Sequence, residues 1–172
     1  MNYHFRKATA SDLSTIWEII QQAIVRRKND GSQQWQDGYP NQTVIEHDIK
    51  KGIGYVLTDP DGNIIIGYAV ILFNDEPAYK QLNGTWLTNG DFAVVHRVAI
   101  SDDYLGKGLA QKIFLFIEDL AKANNVFSIK VDTNFDNIPM LKILEKLKYT
   151  YCGEVFFRGC ARKAFEKVIS VS

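Results

Sequence analysis

The chain has few of the residues that build metal sites and disulfide frameworks. Its two cysteines, Cys152 and Cys160, form no metal-spaced motif, so we expect free thiols in a reducing compartment. The three histidines, His4, His47 and His96, lie far apart in the sequence. The sequence therefore predicts neither a metal cluster nor a disulfide-stapled domain.

An excess of one charge and a long apolar run are also lacking. Twenty Lys and Arg residues balance twenty Asp and Glu residues, which argues against nucleic acid as the main partner. No apolar run is long enough to cross a bilayer, and the N-terminus lacks the apolar stretch of a signal peptide. We therefore expect a cytoplasmic protein that binds neither nucleic acid nor membrane.

The chain does have the composition of an ordinary soluble domain. It has 172 residues, of which 46% are hydrophobic and 23% are charged. No repeat, low-complexity segment or linker is visible. We expect residues 1–172 to form one domain.

Hydrophobic periodicity predicts the element order β-α-α-β-β-β-α-β-α-β-β. The turn at residues 59–63, Asp-Pro-Asp-Gly-Asn, predicts a hairpin between strands 54–58 and 64–73. The strand at 92–100, the helix after it and the strand at 126–131 predict one βαβ crossover. The resulting fold class is α/β (α+β), with a mixed, mostly antiparallel sheet of about seven strands and helices on both faces.

The most informative segment is a strand, a polar turn, a glycine pair and a helix within residues 98–116. Gly106 and Gly108 let the backbone approach a ligand closely, because they carry no Cβ. The first turn of the following helix offers unpaired N–H groups and a positive dipole end. This order predicts a site for a phosphorylated ligand.

At these residues the chain resembles the GNAT superfamily of acyl-CoA-dependent N-acyltransferases. The family's phosphate motif is Arg or Gln, two residues, Gly, one residue, then Gly or Ala. Gly108 and Ala110 match it, whereas Leu105 replaces the usual Arg or Gln. The resemblance implies acetyl-CoA as cosubstrate, without a metal, with the phosphate loop formed by Leu105, Gly106, Lys107, Gly108, Leu109 and Ala110.

The resemblance also implies how the rest of the cosubstrate is held. Val98, Ala99 and Ile100 would flank the pantetheine arm, which pairs with this strand as another strand would. Asn137 resembles the family's Asn at the start of the next helix, which reaches the same arm.

The general acid of many family members is missing. Leu144 occupies the position where they carry a Tyr that protonates the leaving thiolate. Tyr149, Tyr151 and Cys152 lie just beyond it and are candidates to replace it. The sequence does not choose among them, and we take Tyr151 as a candidate catalytic residue.

His96 is the candidate proton acceptor. Strand alternation places its side chain on the same face as Val98 and Ile100, and an imidazole suits proton transfer near neutral pH. The alternative is a histidine bonded to a neighbouring strand or loop. Arg97 should point to the opposite face and is interpreted as structural.

Residues 74–90 form a long polar excursion, of a length that is often functional. Glu76, Tyr79 and Asp91 could frame an acceptor amine, although the sequence favours a solvated loop. Trp35 and Tyr39 either line an acceptor pocket or pack against the sheet, and Trp86 has the same two interpretations.

The sequence therefore predicts an N-acetyltransferase in which a primary amine attacks the thioester directly. The acceptor is a small-molecule amine or a peptide amine, with Asp75, Glu76 and Asp91 as a faint hint of a polycation. A homodimer is compatible with the sequence. One alternative is a non-catalytic acyl-CoA binding module; a nucleotide-binding protein of another fold lacks support, because the loop has no P-loop Lys-Ser/Thr pair.

Overall fold

The computed structural model describes residues 2–171, in which four α-helices accompany eight strands. The helices are α1 (Leu13–Asn29), α2 (Gln42–Lys50), α3 (Leu109–Ala123) and α4 (Ile138–Lys146). The strands are β1 (His4–Lys7), β2 (Gly54–Thr58), β3 (Ile65–Phe73), β4 (Asn83–Gly84), β5 (Ala93–Ile100), β6 (Ser128–Thr133), β7 (Thr150–Phe157) and β8 (Cys160–Val168).

The strands form one mixed sheet in the order β1-β2-β3-β5-β6-β8-β7-β4. The β5–β6 pair is parallel, as the crossover through α3 requires, whereas β1–β2, β2–β3, β6–β8, β7–β8 and β4–β7 are antiparallel. The predicted mixed, mostly antiparallel sheet is confirmed. The strand that was not predicted is β4, which has only two residues and is too short to show alternation in the sequence.

The chain divides into two compact units, and the boundaries between them fall within β3, β5 and α3. The first unit comprises Met1–Ile71 and Arg97–Phe114, and the second comprises Leu72–His96 and Leu115–Ser172. A single domain over residues 1–172 stays a prediction. No helix within residues 2–171 is long and apolar enough to cross a membrane.

In the first unit, the C-terminal half of α1 positions the end of β5. Arg26 donates from Nη2 to the Ile100 carbonyl at 2.9 Å and forms an ion pair with Asp102. Gln22 Oε1 accepts a hydrogen bond from the Asp102 N–H at 2.9 Å. These contacts fix the chain where it leaves β5 and enters the glycine-containing loop.

In the second unit, the excursion at residues 74–90 packs onto the sheet. Glu76 caps a short 3₁₀ turn, Pro77–Gln81, by accepting from the Ala78 N–H at 3.4 Å. This turn brings Tyr79 into a core with Val94, where Tyr79 is only 2% exposed. The expectation of a solvated loop is therefore wrong for this turn, because one aromatic residue in a polar segment anchors it.

Candidate active site

The loop between β5 and α3 has the conformation that its glycines require. Gly106 and Gly108 have φ of +74° and +71°, in the left-handed region that favours glycine. No atom lies within 4 Å of the position of a Cβ at either residue, so the loop is open to a ligand. The Gly108 carbonyl accepts the first helical hydrogen bond, from the Lys112 N–H at 3.1 Å. The N–H groups of the next residues therefore start α3 without intrahelical partners.

Side chains around this loop anchor it at one end and leave it accessible at the other. Leu109 is buried, whereas Leu105 is 45% exposed. Lys107 lies in the exposed part of the loop, with its Nζ 4.9 Å from the centroid of the Tyr104 ring. An open, basic loop at a helix N-terminus is suited to a diphosphate.

β5 pairs with β6 over only part of its length. The parallel register covers Ala93–Val95 and Ile129–Val131, although β5 continues to Ile100. The C-terminal end of β5 bonds to β3 in the first unit, since the N–H of Ser101, the next residue, donates to the Ile66 carbonyl at 2.8 Å. Ala99 and Ile100 are buried there, and Val98 is half-buried.

Arg97 interrupts the alternation of β5. Its φ is +52°, outside the extended region, so the period-two alternation of an extended strand is interrupted between His96 and Val98. The alternation argument that placed His96, Val98 and Ile100 on one face is therefore wrong.

Arg97 itself has the structural role that the sequence indicated. Its Nε and Nη2 donate to Asp48 Oδ2 and Oδ1 at 2.9 and 2.6 Å, and its Nη1 contacts the Tyr39 hydroxyl. Asp48 is 2% exposed and also accepts from the Tyr68 hydroxyl at 2.9 Å. Burial opposes the charged form of Arg97, but the hydrogen bonds to Asp48 outweigh it and raise the pKa of Arg97. Burial first, and then the charge of Asp48, raise the pKa of Tyr68.

His96 lies at the centre of a polar group that we call the His96 cluster, formed with Glu76, Tyr79 and Asp132. Its Nε2 is 2.7 Å from Glu76 Oε2, and its Nδ1 is 3.9 Å from Asp132 Oδ2. The first distance is a hydrogen bond, and the second is an ion-pair distance. The Tyr79 hydroxyl donates to Asp132 Oδ2 at 2.6 Å. The imidazole thus has a carboxylate beside each ring nitrogen.

Aromatic and cationic side chains enclose this cluster. The His96 ring centroid lies 6.1 Å from that of Phe157 and 6.4 Å from that of Tyr79, both in edge-to-face geometry. Arg162 Nη1 is 3.5 Å from Asp132 Oδ1. Burial, then the charge of Asp132, raises the pKa of Tyr79, which keeps its hydroxyl protonated as a donor.

A cavity of about 300 Å³ opens beside the cluster in the second unit. Its wall combines carboxylates, those of Asp75 and Glu76, with aromatic rings. Apolar walls with a few polar groups are typical of small-molecule sites. Glu76 lies in this wall and bonds His96 with the same carboxylate. Residues of this wall include Asp75, Glu76, Tyr79, Trp86, Phe92 and Lys130.

The candidates to replace the missing general acid lie in different environments. Tyr151, on β7, is 51% exposed, with its ring centroid 5.7 Å from that of Phe165. Tyr149 and Cys152 are buried, and burial raises the pKa of each. Leu144 is fully buried in the core.

Of the other predicted residues, Asn137 caps α4, accepting from the Met140 N–H at 3.3 Å. Trp35 is 9% exposed and Tyr39 contacts Arg97, so both pack within the first unit. Trp86 packs on Tyr79 with ring centroids 5.1 Å apart and also lines the cavity, so both of its interpretations apply.

The sequence interpretation missed Asp132, Arg162 and Phe157. Asp132 gave a usable signal, because it is an acidic residue directly after the strand predicted at residues 126–131. Its 8% exposure and its two partners show that the strand continues past residue 131. Arg162 and Phe157 gave none, because only the β7–β8 pairing brings them to His96.

The loop geometry gives a matched test of ligand binding. We expect Gly108→Ala to weaken coenzyme A binding by about tenfold or more, because a methyl group and a shifted backbone would disturb charge-assisted hydrogen bonds from N–H groups. Gly62→Ala is the control, since Gly62 has φ of +76° and equally open space in the β2–β3 turn. Calorimetry with coenzyme A measures both. If both variants bound coenzyme A with the same affinity, the loop between β5 and α3 would not be the phosphate site.

Comparisons with known proteins agree on one family. Residues 17–149 match the model of the acetyltransferase (GNAT) family. A GNAT-family acetyltransferase from Streptococcus agalactiae superposes with a TM-score of 0.87 at 32% identity, covering 98% of this chain and 96% of that one. YncA from Salmonella typhimurium, solved with its cofactor acetyl-CoA, shares the fold with a TM-score of 0.67 at 14% identity, covering 99% and 95%.

A curated relative matches over a shorter region. Streptothricin acetyltransferase from Escherichia coli is 27% identical over 99 residues, or 58% of this chain. The match spans 55% of that relative, about half of its length. The family match covers most of the chain, and the chain belongs to the GNAT acetyltransferase family.

Proposed function

We propose that this protein transfers an acetyl group from acetyl-CoA to a primary amine, by direct attack of the amine in a ternary complex. The observation that carries the proposal is the His96 cluster, in which an imidazole bonds at 2.7 Å to a carboxylate in a cavity wall. A binding module has no need of such a pair beside its cavity. Amine acylation does need it, because the attacking amine must lose a proton.

Acetyl-CoA is the cosubstrate of this family. The residues that would hold it fit the role, since Gly106 and Gly108 adopt left-handed conformations with open space above them. The N–H groups of residues 106–110 would bind the diphosphate, while the main chain of Val98–Ile100 and the side chain of Asn137 would bind the pantetheine arm.

Proton transfer follows from the order of the groups around the cavity. Glu76 lies in the wall and receives the amine, and His96 lies behind it with Nε2 on the same carboxylate. With Nδ1–H facing Asp132 at 3.9 Å, Nε2 is the nitrogen that takes up, through Glu76, the proton that the amine loses. Asp132 and Tyr79 then hold the imidazolium in place.

Tyr151 is the residue that we propose for the proton of the leaving thiolate. Unlike Tyr149 and Cys152, which are buried, Tyr151 is half exposed. A thiol of ordinary pKa about 8.5 is a tolerable leaving group near neutral pH, so this proton transfer contributes less than the one at His96.

The acceptor is a small-molecule amine or a peptide amine. The curated relative is named for a small antibiotic, streptothricin, which favours the small-molecule class. The cavity volume of about 300 Å³ agrees with that class. A cytoplasmic location and a homodimer remain predictions.

The test is thiol release from acetyl-CoA over a panel of small-molecule and peptide amines, with product masses measured. We expect release that depends on the amine and a mass gain of one acetyl group. If coenzyme A binds but no amine supports release, the protein is an acyl-CoA binding module instead.

A further inference from the structure

The cavity of the second unit contains a buried cation as well as carboxylates. Lys130, on β6, lies in the cavity wall and is 4% exposed. Its Nζ lies 4.4 Å from the centroid of the Trp86 ring and 4.1 Å from that of the Phe92 ring. Cation–π attraction stabilises such an ammonium, but aromatic faces are poor substitutes for the oxygen acceptors that it lacks.

No acceptor within residues 2–171 takes a hydrogen bond from this ammonium. Glu166 is its register partner across β6 and β8. The oxygens of Glu166 are already used, since they accept from Leu87 N–H at 2.7 Å, Thr88 N–H at 3.4 Å, Ser128 Oγ at 2.7 Å and Thr88 Oγ1. Glu166 therefore balances the charge of Lys130 from a distance without binding it.

The ammonium of Lys130 is partly desolvated where it faces the cavity. Burial lowers the pKa of Lys130, and the charge of Glu166 only partly opposes that effect. An anionic group of a ligand, entering the cavity between the rings, would supply the missing acceptor.

We infer that the acceptor amine also carries a carboxylate, and that Lys130 binds this carboxylate while the amine lies at Glu76. The inference rests on the proposed function and specifies its substrate class. The wall has one partly buried carboxylate, which bonds the imidazole, and one ammonium held between two aromatic rings, and this pair of charges is complementary to an amino acid. A polycation would place a positive charge against Lys130 and is disfavoured.

The test compares amines that differ only in the carboxylate. Thiol release is measured for the pairs lysine and cadaverine, ornithine and putrescine, and phenylalanine and phenethylamine. We expect one or more pairs in which kcat/KM of the carboxylate-bearing member is about 10- to 100-fold higher, the effect of one charge-assisted interaction. In Lys130→Met the ratio within that pair should fall towards one, mainly through KM, and Lys130→Arg should restore part of it.

Several results would overturn the inference. One is a wild-type enzyme that acetylates amines but never prefers the carboxylate-bearing member, which would leave the proposed function intact. Another is a Lys130→Met variant that loses turnover of both members equally, which would make Lys130 structural. If no amine supports thiol release, the proposed function is wrong, whatever the role of Lys130. In that case, calorimetry of the same amine pairs with the enzyme–coenzyme A complex decides whether Lys130 binds a carboxylate.

Discussion

Replacing His96 by Gln is expected to lower kcat for acetyl transfer by about 100- to 10,000-fold, the usual contribution of a general base. Gln keeps a polar contact with Glu76 but cannot take up the proton that the amine loses. The effect should appear in kcat, because His96 lies behind Glu76 in the cavity wall. Steady-state thiol release at saturating acetyl-CoA measures it.

The matched control is His47→Gln, since His47 is an exposed histidine on α2. It should retain wild-type kcat. Glu76→Gln should also lower kcat, because it removes the group between the amine and His96. If His96→Gln kept kcat within threefold of wild type while Glu76→Gln lost it, the Glu76 carboxylate would be the proton acceptor and the role assigned to His96 would be wrong.

Replacing Asp48 by Ala is expected to lower the free energy of unfolding by about 3–5 kcal/mol, the usual cost of removing one partner from a buried ion pair. Asp48 is 2% exposed and accepts three hydrogen bonds, from Arg97 Nε and Nη2 and from the Tyr68 hydroxyl. The variant would leave a buried guanidinium and a buried phenol without this acceptor. Urea denaturation measures the change.

The same helix provides the control. Glu46 forms an ion pair with Lys50 at 3.4 Å, and both side chains are at least half exposed. Glu46→Ala should cost no more than about 0.5 kcal/mol, because solvent screens such pairs. Joint replacement of Asp48 and Arg97 by apolar residues should destabilise less than Asp48→Ala alone. Equal effects of Asp48→Ala and Glu46→Ala would show that the buried pair adds nothing to stability.

Much of the fold could be predicted because its elements are encoded locally. The turn at residues 59–63 and the amphipathic pattern of α3 gave the correct elements within one or two residues. The glycine conformations at 106 and 108 were predictable for the same reason, since they follow from residue type and from the helix start.

The candidate site was less predictable because its contacts are long-range. Glu76 lies 20 residues from His96, and Tyr79 lies 53 residues from Asp132. Periodicity cannot report such pairs. It also failed at Arg97, whose left-handed backbone arises where an ion pair with Asp48 holds the side chain.

The excursion at residues 74–90 links substrate choice to reactivity. It supplies Glu76, which orients the imidazole, as well as Tyr79 and Trp86, which shape the cavity. Exchanging this segment between relatives in order to graft a new acceptor preference would also replace the hydrogen-bond partner of the base. Engineers should therefore expect loop chimaeras to lose turnover while they change substrates, unless the acidic residue at position 76 is kept.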